Sequence, residues 1–162
     1  MPERYIILDN IRSEHNVGAI FRTADAAGIQ RVYLAGYTPQ PLDRFGRPVP
    51  AIAKTALGAE KILSWTSVAD VTELVYDLRT QGVLVVAIEQ VPQADSILTY
   101  TPPQNQAVAY VFGNEVDGVS PEVLTAVDQT LLIPMYGQKE SLNVAVSVGV
   151  VLFTTHPAWN TV

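Results

Sequence analysis

Three stretches of the chain repeat one arrangement of apolar and polar positions. In each, a short apolar run leads into a polar, glycine-containing loop, and the loop opens a helix. They are residues 5–8 into 10–18, 107–112 into 113–118, and 130–133 into 134–143. Between them, strand and helix patterns alternate. Val17, Ile20, Phe21, Ala24 and Ala27 recur at helical spacing, with Asn16 expected as N-cap and Gly28 as the stop. Residues 31–35 read as a second strand, 36–49 as a Pro- and Gly-rich loop, 50–57 as a short helix starting at Pro50, and 61–65 as a short strand. Val68, Val71, Leu74, Val75 and Leu78 share one face of a helix that Gly82 ends. Residues 83–88 and 107–112 are strands apolar on both faces, as in a parallel sheet, and 91–104 reads as an irregular crossover. A short helix over 121–127 follows Ser120, 131–133 is the last strand, and Ser141 is expected to cap a closing helix that His156 and Pro157 end.

That closing segment contains a conflict. Val144, Val146, Val148 and Val150 alternate with small residues, which is a strand pattern. Its length, its polar cap and the strand before it favour a buried helix. Strands alternating with helices give an α/β fold with a mainly parallel sheet, helices on both faces, and one domain over residues 1–162. In such sheets ligands sit beyond the carboxyl ends of the strands, so the three loops are expected to meet at one edge.

Composition narrows the class. Apolar residues make up 48% and charged residues 16%, the balance of a compact folded chain. There is no cysteine, which removes disulfides and thiolate chemistry and fits the cytoplasm. No apolar run is long enough for a signal peptide or a membrane span. The net charge of −6 argues at first against nucleic acid. Yet eight of the ten basic residues, Arg12, Arg22, Arg44, Arg47 and Lys54 among them, fall in residues 1–61, beside only six of the sixteen acids. A local basic surface is therefore compatible with an acidic whole.

The loops restrict the chemistry further. Glu115 and Asp117 stand in a glycine-bounded turn with no P-loop lysine, so this loop suits a neutral or cationic ligand rather than a phosphate. Ser141 has no triad context, since the histidines are only His15 and His156. Metal ligation lacks cysteines and a paired-histidine motif, so no metal is expected. From local pattern alone, Asn16 and Ser141 are helix caps, Arg22 is a solvated arginine, and Glu115 belongs to an ordinary turn.

Taken together the segments resemble the SPOUT superfamily of S-adenosylmethionine-dependent RNA methyltransferases, in its TrmH-like (SpoU) branch. The residues that carry the resemblance are Asn16-Val17-Gly18-Ala19-Ile20-Phe21-Arg22-Thr23-Ala24, then Phe112-Gly113-Asn114-Glu115 with Gly118, then Ile133-Pro134-Met135 with Gly137 and Ser141-Leu142-Asn143-Val144. They occur in family order and cover nearly the whole chain. After Asn143-Val144 this chain reads Ala145-Val146-Ser147 where many relatives read Ser-Val-Ala, and the resemblance is to a minimal form without an N-terminal RNA-binding extension.

The resemblance implies a Rossmann-like sheet with a C-terminal deep trefoil knot, an obligate homodimer, and methylation of a ribose 2′-hydroxyl in tRNA or, next, rRNA. It implies a cofactor pocket at Ile88, Glu89, Gly113, Ile133, Met135, Gly137, Ser141 and Leu142. Arg22 is expected to contact the target phosphate and ribose, orienting the hydroxyl and stabilising the alkoxide, with Asn16, Glu115, Ser141 and Asn143 holding the arrangement. RNA contact is expected at Arg12, Arg22, Arg44, Arg47 and Lys54. The alternative is a non-catalytic RNA-binding scaffold that keeps the cofactor pocket.

Overall fold

A computed structural model describes residues 1–158 of the chain. Its elements in chain order are β1 (Arg4–Asp9), α1 (Glu14–Ala26), β2 (Arg31–Ala35), α2 (Pro50–Ala56), α3 (Ala59–Ile62), β3 (Ser64–Val68), α4 (Val71–Thr80), β4 (Leu84–Ile88), β5 (Asp95–Ser96), β6 (Val108–Phe112), α5 (Pro121–Ala126), β7 (Gln129–Leu132) and α6 (Val144–Thr154). The strands form one parallel sheet in the order β3-β2-β1-β6-β4-β7-β5.

Alternation along the strands sends side chains to two cores. Ile6 and Leu8 of β1 and Tyr110 and Phe112 of β6 join Ile20 and Phe21 of α1 and Val148 and Val151 of α6. Ile7 of β1 and Ala109 and Val111 of β6 pack on the opposite face with Val75 and Leu78 of α4 and Val123 of α5. Helices therefore cover both faces, as the pattern requires. Strands β1, β6, β4 and β7 are consecutive across the middle of the sheet, so their carboxyl-end loops lie side by side.

Several boundaries differ from the sequence expectation, each for a local reason. The N-cap of α1 is Ser13, whose side chain accepts the Asn16 amide at 3.2 Å; Asn16 sits inside the first turn and its side chain is free for other bonds. The cap of α6 is Asn143, whose Oδ1 accepts the Ala145 amide at 2.9 Å; Ser141 lies outside the helix. The strand expected over residues 61–65 is displaced. Gly58, at φ 95°, opens the single-turn α3, and pairing of Ser64 to Val68 with Arg31 to Ala35 sets β3 three residues later. Helix α4 starts at Val71, because Asp70 caps the amides of Thr72 and Glu73. The irregular crossover contains a two-residue strand, β5, paired with Leu131 and Leu132 of β7.

The closing segment is a helix. Val144, Val148, Val151 and Leu152 are buried at helical spacing, and Gly149 sits where an added Cβ would lie 3.6 Å from Thr23 of α1. Burial of branched side chains outweighs their modest intrinsic cost in a helix.

Candidate active site

At the end of β1 the chain turns sharply. Asn10 adopts φ 54°, and its Oδ1 accepts the Tyr37 amide at 3.0 Å. The side chain fills the space above Gly36, where a Cβ would fall 1.9 Å from that oxygen. This turn presents the amides of Arg12 and Ser13 toward the neighbouring loop of β6. There Glu115 receives them, Oε2 from Arg12 at 3.0 Å and Oε1 from Ser13 at 3.3 Å. Asn16 Nδ2 donates to Glu115 Oε1 at 3.4 Å, and Asn143 Nδ2 donates to Asn16 Oδ1 at 3.2 Å. One polar chain, Glu115–Asn16–Asn143, thus links the first turns of α1 and α6 to the loop after β6. Partial burial pushes the Glu115 carboxyl upward, but the Arg12 and Ser13 amides and the Asn16 side chain outweigh it and hold it below its usual range.

Behind that chain lies a cleft of about 340 Å³, a volume in the range of small-molecule sites. Ile88 at the end of β4 and Glu89 after it line it, with Gly113 to Gly118 after β6, Ile133 and Met135 after β7, and Ser141 to Val144 and Ser147 at α6. Its apolar walls come from Ile88, Phe112, Ile133, Met135 and Leu142; the charged groups in its lining are all carboxylates. Asn114 holds the β6 loop in shape. Its Nδ2 donates to Asn10 O at 2.8 Å and Tyr37 Oη at 2.6 Å, and its Oδ1 accepts the Val116 amide at 2.7 Å.

The structure brings together Asn16, Glu115 and Asn143 by direct bonds and sets Ser141 at the same cleft. Arg22 lies further along α1, exposed, and its side chain bonds no described residue, so it stays outside that network within one chain. Of the expected cofactor residues, Ile88, Glu89, Gly113, Ile133, Met135, Ser141 and Leu142 line the cleft, and Gly137 does not. Glu89 is committed to the protein itself. Its Oε2 accepts the Val119 amide at 2.7 Å and its Oε1 the Gln90 amide at 2.8 Å. An added Cβ on Gly118 would lie 2.2 Å from Glu89 Oε2, so the glycine permits this clamp. Gln90 Nε2 in turn donates to Ile133 O at 2.7 Å and ties the β4 and β7 loops.

Sequence reasoning missed Ser13, Asn10, Gln90 and Ser147. Ser13 stood three residues before Asn16, the spacing of a cap, and was the readable signal. Asn10 and Gln90 act over long sequence separations, and Ser147 lines the cleft from α6. Arg12 is exposed beside Glu115, Lys54 is exposed in the last turn of α2, and Arg44 and Arg47 flank Phe45 in the loop before α2. Among the described residues no helix is long and apolar enough to cross a membrane.

Known proteins resemble this chain over nearly all of its length. The model of the SpoU rRNA Methylase family matches residues 3–153. The chain is 32% identical over 154 residues to the 23S rRNA (guanosine-2′-O-)-methyltransferase RlmB of Neisseria meningitidis, covering 95% of this chain and 58% of that protein. It is 31% identical over 150 residues to the tRNA (guanosine(18)-2′-O)-methyltransferase of Aquifex aeolicus, covering 91% and 66%. It therefore spans about three fifths of the length of these relatives. Among solved structures, the AdoMet-bound rRNA methyltransferase of Sinorhizobium meliloti superposes with a TM-score of 0.83 at 29% identity, over 94% of this chain and 55% of that one.

Proposed function

The chain belongs to the SpoU rRNA Methylase family, and from that premise we propose that it is an S-adenosylmethionine-dependent RNA 2′-O-ribose methyltransferase of the cytoplasm, acting on tRNA or, second, rRNA. The observation that carries this reading is the Glu115–Asn16–Asn143 chain, which joins all three loops at the mouth of one cleft. The cleft fits the cofactor. Its apolar walls suit an adenine, and the Glu115 and Asp117 carboxylates, with no cation in the lining, suit a positively charged sulfonium. When bound, the cofactor supplies an activated methyl group.

The chain's own residues then have to hold a ribose. Asn16 and Asn143 orient its hydroxyls, and Ser141 borders the same space. Glu115 stays ionised and fixes Asn16 and the Arg12–Ser13 backbone. Arg22 orients the 2′-hydroxyl and stabilises its developing negative charge; a guanidinium is too weak an acid to be the base. Arg12, Arg44, Arg47 and Lys54 contact phosphates.

A homodimer belongs to this reading. Val146 and Phe153 on α6 are 52% and 41% exposed, and Ala19, Arg22 and Ala26 occupy the exposed side of α1 nearby. A helix so apolar requires cover on that side too, and a second copy supplies it. Arg22 then lies at the interface, and we assign it to the partner's cleft. The deep knot is part of the same reading. Its support is that β7 lies between β4 and β5, which one continuous arc of chain connects.

The test is calorimetry with S-adenosylmethionine, followed by tritium transfer to total RNA, nuclease digestion and nucleoside analysis. Label in a 2′-O-methylnucleoside from the tRNA fraction is the expected result. Cofactor binding without transfer to any RNA overturns the enzyme in favour of the scaffold, and label on a base overturns the ribose.

A further inference from the structure

The loop between β2 and α2 carries a feature that methyl transfer itself does not use. Residues 42–48 form a tight hairpin in which Leu42 bridges Pro48, the Asp43 amide donates to Arg47 O at 2.8 Å, and the Val49 amide donates to Pro41 O at 3.0 Å. The Asp43 carboxylate closes it from within. Oδ1 accepts the amides of Phe45 at 2.8 Å and Arg47 at 2.9 Å, and Oδ2 accepts Arg47 Nε at 2.8 Å. Gly46, at φ 74°, completes the turn. These bonds shape the tip before anything binds, so little ordering entropy remains. Phe45 stands at the tip, 65% exposed, with the Arg44 and Arg47 guanidinium carbons 4.7 and 4.9 Å from its ring centre. The hairpin's hydrogen bonds run through Asp43 and the backbone, so its shape does not depend on the ring.

The two arginines differ. Arg47 is tied to Asp43, whereas Arg44 has no other partner among the described residues. A cation on an exposed ring shifts an equilibrium by about two- to fivefold. A base stacked on an aromatic side chain shifts it by about five- to 150-fold. Exchange on the Arg44 side of the ring therefore favours the base and frees a guanidinium to meet a phosphate. A groove lined by Tyr37, Gln40 and Arg44 runs from this hairpin to Glu14 in the first turn of α1. Glu14 adjoins Ser13, whose amide holds Glu115 at the cleft.

We propose that Phe45 is a stacking platform for an unpaired base of the RNA substrate, with Arg44 moving from the ring to that nucleotide's phosphate. The platform selects RNA that offers an unstacked nucleotide beside the methylated one. This rests on the reading of the chain as an RNA ribose methyltransferase.

The test uses the full chain and two probes, unfractionated tRNA and a single-stranded oligoribonucleotide carrying 2-aminopurine. Phe45→Leu keeps apolar bulk and removes the π face; Phe45→Trp enlarges it. Phe45→Leu is expected to weaken tRNA binding about tenfold. Its salt dependence stays that of the wild type because no charge is lost. Phe45→Trp restores the affinity, and 2-aminopurine fluorescence is quenched by the wild type and Phe45→Trp but not by Phe45→Leu. Arg44→Ala lowers the salt slope by about one ion. Wild-type tRNA affinity in Phe45→Leu, no rescue by Phe45→Trp, or no quenching by the wild type overturns the platform. So does a fall of Phe45→Leu from dimer to monomer, which would mark the ring as covered by a second copy. Failure of the wild type to methylate any RNA overturns the functional reading instead, and the quenching assay still reads the platform by itself.

Discussion

Asp9 ends β1 with a carboxylate that is 4% exposed and whose Oδ1 has no hydrogen-bond partner among the described residues. Burial, and after it the nearby Asp70, raise its proton affinity above the ordinary value of 3.8. In the folded chain Asp9 therefore takes up a proton more readily than in the unfolded chain. Its contribution to stability is full below that ordinary value and is lost as pH rises through the raised one. Glu115 has the opposite sign: its proton affinity is lowered, so its contribution is present above 4.5 and lost as the pH falls. Asp9→Asn removes the buried charge. It should raise stability at neutral pH by about 1 kcal/mol or more. It should also flatten the decline that the wild type shows as pH rises from about 4. Thermal melts of the two proteins over a pH series check this, and parallel curves would refute it.

Helices α1 and α6 end at the same buried cation. Arg4, the first residue of β1, is 5% exposed and donates to Ala27 O at 3.2 Å and Leu152 O at 2.7 Å, beside the Tyr110 ring. Those carbonyls belong to the negative ends of two helix dipoles, which supply the countercharge that a carboxylate usually gives. Burial lowers the guanidinium's proton affinity, and Tyr110 opposes that shift. Arg4→Met keeps much of the volume but leaves both carbonyls without this donor. It should cost about 2–4 kcal/mol in urea unfolding, with faster hydrogen exchange in the last turn of α6. An unchanged midpoint would show the cation to be dispensable. Elements of this kind mark the limit of sequence reading. The period of Val17, Ile20, Phe21 and Ala24 made α1 legible, and the three loop motifs announced the residues that meet at the cleft. Local pattern did not say which polar residue caps a helix. Ser13 and Asn143 do so because packing fixes where each helix begins, leaving Asn16 free to bridge. The Glu89 clamp on Val119 and the Arg4 bonds to α6 depend on strand order, which spans 30 and 148 residues respectively. Arg22 was legible only through the motif, since no side-chain bond to a described residue gives it a role.

The whole molecule has a testable arithmetic of sites. If Arg22 serves the partner's cleft, neither Arg22→Ala nor Asn143→Ala should methylate RNA alone, yet mixed dimers of the two should recover activity. In such a pair the cleft of the Arg22→Ala chain keeps its own Asn143 and receives a wild-type Arg22, while the other cleft is doubly defective. Co-expression with two affinity tags, followed by a methyl-transfer assay, reads the result. Activity no higher than that of either parent would place Arg22 in its own chain's cleft. The central position of β1 bears on biosynthesis as well. It pairs with β6, over a hundred residues later in the chain, and its Arg4 completes its bonds to the two helix ends only when α6 joins α1. Of the described strands β1 leaves the ribosome before the others, so the nascent chain carries an apolar edge and a cation without its α6 partner until α6 has emerged. Translation pauses between β1 and α6 should therefore raise aggregation and chaperone capture of this chain, whereas a circular permutant that makes β6 and α6 before β1 should depend on chaperones less.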